Sequence, residues 1–298
     1  MADTPDSATE FEQQRPRLFA LAYRLLGSAA EAEDVVQDTY LRWSAVDREY
    51  VATPGAWLAK VLTNLCLNRL TSARNLRERY VGPWLPEPVL TDTAPLGPME
   101  VAEQRESVSL ALLVLLERLT PAERAVFVLR EAFGYTHRGI AEVLNVSEAS
   151  SQQLYRRARA HLDRSRRRFE PDPAQGALIA RRFFSAARTG NLVELERVLA
   201  ADVVSWADGG GKVTAARRLV RGAPEVARYL AGWMAGSLPG LEIAIREVNG
   251  EPAILAVSAG RLWGVMVLEM MAGRIAALRT VVNPDKLAFA DSQLCTTA

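Results

Sequence analysis

Residues 135–162 read YTHRGIAEVLNVSEASSQQLYRRARAHL: a short amphipathic helix, a tight turn and a basic second helix in direct succession. Ile140, Val143 and Leu144 give the first helix an inward face, Asn145 suits a left-handed turn position, and Ser147 can cap the second helix. Ser151, Tyr155, Ala158 and Leu162 recur at helical spacing on one side of that second helix. Glu148, Ser150, Gln152, Gln153, Arg156 and Arg157 are left on the other, and Arg159 adds a further cation. Amides and guanidiniums on one helix face can read base edges in a major groove and hold phosphates, as a helix-turn-helix requires. An ordinary helical hairpin with a polar outer face fits the same pattern, so the flanking sequence has to decide.

Downstream, Arg156, Arg157, Arg159, Arg164, Arg166, Arg167 and Arg168 crowd one segment opposed only by Asp163, although the whole chain carries a net charge of just +1. Such a cluster is either a solvated helix end or a phosphate-binding strip, where each neutralised phosphate releases counterions. Upstream, Val108, Leu112, Leu115, Leu116 and Leu119 form one apolar stripe, and Thr120 before Pro121 is placed to cap a new helix. Before that, Pro83, Pro86, Pro88, Pro95 and Pro98 with Gly82 and Gly97 cannot continue a helix, so an interdomain linker is expected over 81–106. Phe11 to about Tyr80 returns to helical spacing, with Gly27-Ser28 and Thr53-Pro54-Gly55 marking helix boundaries.

Beyond Pro171 and Pro173 the pattern becomes mixed. Two helices are expected over 174–188 and 192–199, followed by strands over 241–248, 252–259, 262–271 and 275–282 joined through Asn249-Gly250, Gly260-Arg261 and Ala272-Gly273. The fold class is therefore multidomain: two all-α modules, a helical bundle and a helix-turn-helix, followed by an α+β module with a curved antiparallel sheet. The expected boundaries are 1–80, 81–106 (linker), 107–168 and 174–290.

The motifs in order resemble extracytoplasmic function (ECF) sigma factors over about the first 165 residues. Leu119-TPAERAVFVL-Arg130 followed by 135–162 is similar to sigma region 4, which implies reading of the minus-thirty-five promoter element. Ala32-EDVVQDTYLR-Trp43 is similar to region 2.2, which implies docking on the polymerase clamp through Glu33, Asp34, Gln37, Asp38 and Thr39. Ala56 to Leu70 is similar to regions 2.3 and 2.4, where the family opens the minus-ten element. Asn64, Asn68, Arg69, Arg74, Arg77 and Arg79 are the candidate strand contacts there and the loop 48–54 the candidate base pocket, while Trp57 is expected in the core. The implied partners are core RNA polymerase, at its clamp and flap regions, and promoter DNA.

Three further segments, Trp84-Leu85-Pro86-Glu87-Pro88, Asp208-Gly209-Gly210-Gly211-Lys212 and Asn283-Pro284-Asp285-Lys286-Leu287, are turn or coil when taken singly. Together they resemble the signature of the ECF subgroup with a fused SnoaL-like domain, a cone of helices and curved sheet. That resemblance implies control by the extra domain in place of a separate anti-sigma protein, and a contact between 283–287 and the neighbourhood of 84–88.

Other function classes remain open on the residues alone. The cone has enzyme relatives with a buried carboxylate base, and Asp208, Glu242 and Glu269 are the carboxylates to consider, but His137 and His161 both lie outside it. No enzyme, cofactor or metal is expected. Trp206, Trp233, Met234, Trp263, Met266, Met270 and Met271 either fill the core or line a pocket for a small apolar ligand, which would make the chain a sensor. A simple helix-turn-helix regulator is the remaining alternative. Cys66 and Cys295 have no metal or disulfide spacing, the acidic start lacks a secretory pattern, and no apolar run spans a bilayer, so a cytoplasmic protein without membrane contact is expected.

Overall fold

The computed structural model describes residues 7–47, 50–77, 80–92, 107–163, 173–235 and 240–296. They fall into two compact units, one drawn from Met1–Glu78, Ala94–Ser107 and Leu112–Arg166, the other from Arg79–Thr93, Val108–Ala111 and Arg167–Ala298.

The first unit is helical. Helices α1 (Ser7–Leu26), α2 (Ala29–Ala45) and α3 (Pro54–Arg77) pack together, and the left-handed Gly27 lets Ser28 follow at once as the cap of α2, accepting from the Glu31 amide at 3.1 Å. Along α2 the buried residues Ala29, Ala32, Val35, Val36, Thr39 and Trp43 recur every three or four positions, which puts them on one stripe. Trp43 is 1% exposed and its ring meets Trp57 at 5.5 Å, a tilted pair that closes the end of the bundle. Trp43→Ala is expected to cost about 3–5 kcal/mol in denaturant unfolding, the range for removing a large aromatic from a packed core.

A short helix α4 (Leu110–Leu116) precedes α5 (Pro121–Glu131), α6 (His137–Leu144) and α7 (Glu148–Asp163). Thr120 and Glu123 form a reciprocal capping box at the start of α5, with Pro121 in the first turn where no amide is needed. Helix α5 then packs on α1 and α3, and α6 packs on α3. Two arginines are buried at this junction. Arg124 meets Glu117 at 2.5 Å and the Arg24 carbonyl at 3.4 Å, while Arg24 donates to the Ser107 hydroxyl and lies over the Phe133 ring. Burial pulls both guanidiniums below their usual range, so the junction holds charge that water would solvate better.

The second unit is an α+β cone. Helices α8 (Pro173–Thr189), α9 (Leu192–Val198) and α10 (Ala223–Ala235) cover a six-stranded sheet of β1 (Leu199–Asp208), β2 (Val220–Arg221), β3 (Leu241–Val248), β4 (Glu251–Ser258), β5 (Arg261–Met271) and β6 (Arg274–Val281) in the order β2-β1-β6-β5-β4-β3. Phe183, Leu195, Val226, Leu230, Leu268 and Leu278 belong to the core between the layers. Asn249-Gly250, Ala259-Gly260 and Ala272-Gly273 all have positive φ at both positions, which fits two-residue hairpin loops to the twist of their strands. The middle turn therefore sits one residue earlier than the expected Gly260-Arg261, because glycine takes its second position and Arg261 already pairs with Ser258. Register shifts at Ala256/Val257 and Glu269/Met270 supply the curvature.

The strands over 241–282 form the expected antiparallel sheet, and β1 adds a parallel pair with β6, Val204 opposite Ala277. A parallel pair needs a long crossover, and α10 with β3 to β5 provides it. Asn283-Pro284 also does more than turn the chain. Asn283 caps a final helix, α11 (Pro284–Thr296), by accepting from the Asp285 amide at 3.2 Å.

Candidate functional site

In the helix-turn-helix, Asn145 ends α6 at φ 55° and ψ 48°, a left-handed position that asparagine tolerates. Ser147 then accepts from the Ser150 amide at 3.1 Å and starts α7. Ala158, Leu162 and Ser151 are buried on the inner side of α7, whereas Glu148, Gln152, Gln153, Arg156, Arg157 and Arg159 are exposed and Ser150 is half-buried. This outer strip carries amide donors and acceptors among cations, a combination suited to base edges and phosphates. Arg164, Arg166, Arg167 and Arg168 lie outside the described residues.

On α2, Gln37 and Asp34 are exposed, Asp38 is half-exposed, and Glu33 is paired with Arg15 at 2.7 Å. Thr39 corrects the expectation of an outward side chain. Four residues after Val35 it falls on the inward stripe, is fully buried, and satisfies its hydroxyl on the Val35 carbonyl at 2.7 Å.

On α3, Asn64 and Asn68 are exposed, and Lys60 adds a cation on the same helical face. Arg69 spans α2 and α3 instead of standing free. It reaches Asp38 at 3.0 Å, Asp34 at 3.4 Å and the Glu31 carbonyl at 3.3 Å, so one residue expected on DNA and two expected on polymerase share an internal ion pair. The side chains of Arg74 and Arg77, with Arg48 and Arg79, lie outside the described residues. Tyr50 is 85% exposed in the loop expected to hold a base.

In the second unit the three signature segments come together. The Asp208 carboxylate, fully buried, accepts from the Tyr80 hydroxyl at 2.5 Å, the Leu85 amide at 2.8 Å, the Gly210 amide at 3.1 Å and the Lys286 ammonium at 2.8 Å. Lys286 also donates to the Leu85 carbonyl at 2.6 Å and sits 4.3 Å from the Trp84 ring centroid and 4.6 Å from that of Tyr80. Asn283 donates to the Tyr80 hydroxyl at 2.9 Å, and Lys212 reaches both oxygens of Asp285 at the exposed rim. Burial first, then the bond to Asp208, pushes the Tyr80 phenol up from its usual range, so it stays a neutral donor.

The glycines have a steric reason. A side chain on Gly210, which also has φ +60°, would meet the Asn283 amide at 2.3 Å, and one on Gly209 would meet the Val213 carbonyl at 2.4 Å. Leu85, Pro86 and Pro88 are buried, while Trp84 and Glu87 are half-buried.

Residues 80–92 thus form a strap along the cone. Farther on, the Val89 amide donates to the Asn249 side chain at 3.0 Å and the Val89 carbonyl accepts the Asn249 amide at 2.9 Å. Gln293 bonds Leu90 through both its side-chain atoms, Thr91 bonds Glu247, and the Asn249 side chain reaches the Val108 carbonyl at 2.7 Å. Tyr80, Asn249 and Gln293 escape sequence reasoning because single polar residues in turns and helices have no period to betray a distant partner.

The apolar cavity of the cone, lined by residues that include Phe183, Phe184, Trp233, Ile243 and Met266, has a volume of about 30 Å³. Asp208, Glu242 and Glu269 are not among its lining residues, and Glu269 is ion-paired to Arg279, which stacks on Trp206 at 4.4 Å. Trp263 packs beside Trp233 at 6.5 Å, and the Met234 side chain lies outside the described residues. Among the described residues no cluster of metal-ligating side chains occurs and no helix is long and apolar enough to cross a membrane.

Comparison with known proteins agrees along the chain. The family described as "Sigma-70 region 2" matches residues 11–76 and "Sigma-70, region 4" matches residues 109–162. The ECF RNA polymerase sigma factor SigJ of Mycobacterium tuberculosis is 39% identical over 292 residues, which is 93% of this chain and 92% of the relative. A probable ECF RNA polymerase sigma factor, SigI of the same organism, is 33% identical over 277 residues, 92% of each. The crystal structure of SigJ superposes with a TM-score of 0.76 at 35% identity, covering 95% of this chain and 98% of that one. With both sigma-70 regions in order on one polypeptide and relatives of this identity along nearly its whole length, the chain belongs to the ECF RNA polymerase sigma factors and carries an α+β unit after region 4.

Proposed function

We propose that this sigma factor carries its own control element, in which the SnoaL-like unit grips the strap between regions 2 and 4 and so sets how far the two can part. The observation that carries this reading is the Asp208–Lys286 pair closed on the backbone of Leu85, with one partner taking its amide and the other its carbonyl. Two buried charges held on a single strap residue form a directional latch, because each also satisfies a backbone group that would otherwise be orphaned.

Reach makes the latch matter. By their names the minus-ten and minus-thirty-five elements are roughly 25 base pairs apart, or about 85 Å at about 3.4 Å per step. Here α6 packs on α3, so α7 lies about two helix layers, on the order of 20 Å, from the helix expected at the minus-ten element. This arrangement is the resting form. Engagement of both elements requires regions 2 and 4 to separate, which hydrates Arg24 and Arg124, and an undocked strap of 13 residues contributes about 45 Å of chain.

In this reading residues 1–80 act as region 2, 81–106 as the linker, 107–168 as region 4 and 174–290 as the control domain. Glu33, Asp34, Gln37 and Asp38 face the polymerase clamp, and region 4 meets the flap. Asn64 and Asn68 contact the melted strand, and Gln152, Gln153, Arg156 and Arg157 contact the minus-thirty-five duplex. The work is done in the cytoplasm, and the fused unit takes the place of a separate anti-sigma protein. The ion pairing of Asp208 with Lys286 and of Glu269 with Arg279 favours a clamp over an enzyme. Run-off transcription with core polymerase tests the reading by comparing the full chain with one ending at residue 168. Equal output at every concentration would remove the control role.

A further inference from the structure

The half of α7 that enters a groove has almost nothing apolar to hold it. Ala158 and Leu162 anchor the C-terminal half, but the N-terminal half runs Glu148, Ala149, Ser150, Ser151, Gln152, Gln153, Leu154 and Tyr155, with Leu154 and Tyr155 only half-buried and Ser151 its one fully buried residue. Apolar packing is non-directional, so it cannot by itself fix the rotation of a helix end whose fully buried residue is a serine. Three polar contacts supply direction. The Ser151 hydroxyl and His137 Nδ1, at the first residue of α6, are 3.0 Å apart. One turn on, the Tyr155 ring meets the His137 ring edge-on with centroids 5.5 Å apart, and its hydroxyl donates to Glu131 at the end of α5 at 2.5 Å. Arg159, another turn along, bonds the same phenol.

We propose that His137 and Tyr155 are positioning residues that lock the rotation of the recognition helix, and that minus-thirty-five specificity depends on this pin although neither residue contacts DNA. The proposal rests on the reading of α7 as the minus-thirty-five reader. Ser151 and Tyr155 are four residues apart and therefore on one line of the helix, so bonding both to α6 and α5 fixes the angle at which Gln152, Gln153, Arg156 and Arg157 face outward. Arg159 is aimed by the same phenol. A rotation of one residue's worth would present the wrong pair of side chains to a base step.

The test uses holoenzyme on two promoters that share a minus-ten element and differ only in the minus-thirty-five element, one of them selected by the parent protein. The readout is the ratio of run-off output between them. His137→Ala and Ser151→Ala are expected to lower that ratio about five- to tenfold, the scale of one or two lost hydrogen bonds, with output from the promoter lacking the element unchanged. His137→Asn, which keeps a polar atom near the Nδ1 position, is expected to recover most of it, and Tyr155→Phe isolates the Glu131 bond with no change of shape. Unchanged ratios in His137→Ala and Ser151→Ala overturn the proposal. So does a fall in ratio that only follows a fall in Tm and is not recovered by His137→Asn. A parent ratio near one instead overturns the assignment of α7 itself, which separates the two failures.

Discussion

Asp208→Asn is expected to lower the stability of the strap-docked state by about 3–5 kcal/mol, because it strands the Lys286 ammonium in a site built for a carboxylate. The side chains are 0% and 10% exposed, so water cannot take over the lost partner. Lys286→Ala is expected to fall in the same range for the converse reason: the Asp208 carboxylate keeps three donors but loses its countercharge. Removing both charges together, as Asp208→Asn with Lys286→Met, is expected to cost less than the sum, the signature of a coupled pair. Thermal unfolding and limited proteolysis within 80–92 measure this directly. In transcription, an undocked strap lets regions 2 and 4 separate more readily, so the single variants are expected to give more promoter output than the parent. Normal folding with unchanged output would break the link between latch and promoter.

Tyr80 adds a pH dependence of known sign. Its phenol is raised above its ordinary value near 10 in the docked state, so its contribution is fully present below that value. It is lost as the pH climbs through the higher docked value, where the phenolate would face the Asp208 carboxylate. Proteolysis of the strap should therefore accelerate on the alkaline side, and Tyr80→Phe should flatten that rise.

The second large effect is expected on α7. Gln153→Ala and Arg156→Ala should each lose about 1–3 kcal/mol of discrimination where the side chain makes a paired contact to a base edge, roughly 5- to 150-fold between the right and wrong base. Arg157→Ala, if its guanidinium holds a phosphate, should weaken all sequences alike and reduce the slope of log affinity against log salt by about one. Binding of holoenzyme to duplexes with single base changes across the minus-thirty-five element separates these outcomes. A set of variants with the same loss on every duplex would leave α7 as a non-specific phosphate grip.

The helical modules were the most legible part of the sequence because their stripes repeat locally. Val35, Val36 and Trp43 announce α2, and Asn145 with Ser147 announces the turn before α7. The hairpin strands were legible too, since Asn249-Gly250 and Ala272-Gly273 punctuate alternating runs. Strand β1 was missed. It pairs in parallel with a strand some seventy residues later, and neither its alternation nor a turn signals that. The α10 segment hid behind its glycine and the loop before it. At the site, the three signature segments carried the resemblance, but Tyr80, Asn249 and Gln293, which fasten the strap to the cone, act through hydrogen bonds to residues more than a hundred positions away. Thr39 and Arg69 show the opposite limit: a helical register says which way a residue points, not whether a neighbouring element has already taken its polar group.

As an ECF sigma factor, this chain is expected to bind core RNA polymerase and open promoter DNA by means of regions 2 and 4. The most direct measurement reconstitutes the full chain with core polymerase on a promoter selected from random sequence and maps permanganate-reactive thymines around the minus-ten element while following run-off RNA. A stable holoenzyme is expected, with reactive thymines confined to that element and discrete RNA that disappears when either element is scrambled. A chain that co-purifies with no polymerase, or a complex that leaves every duplex closed, would contradict it.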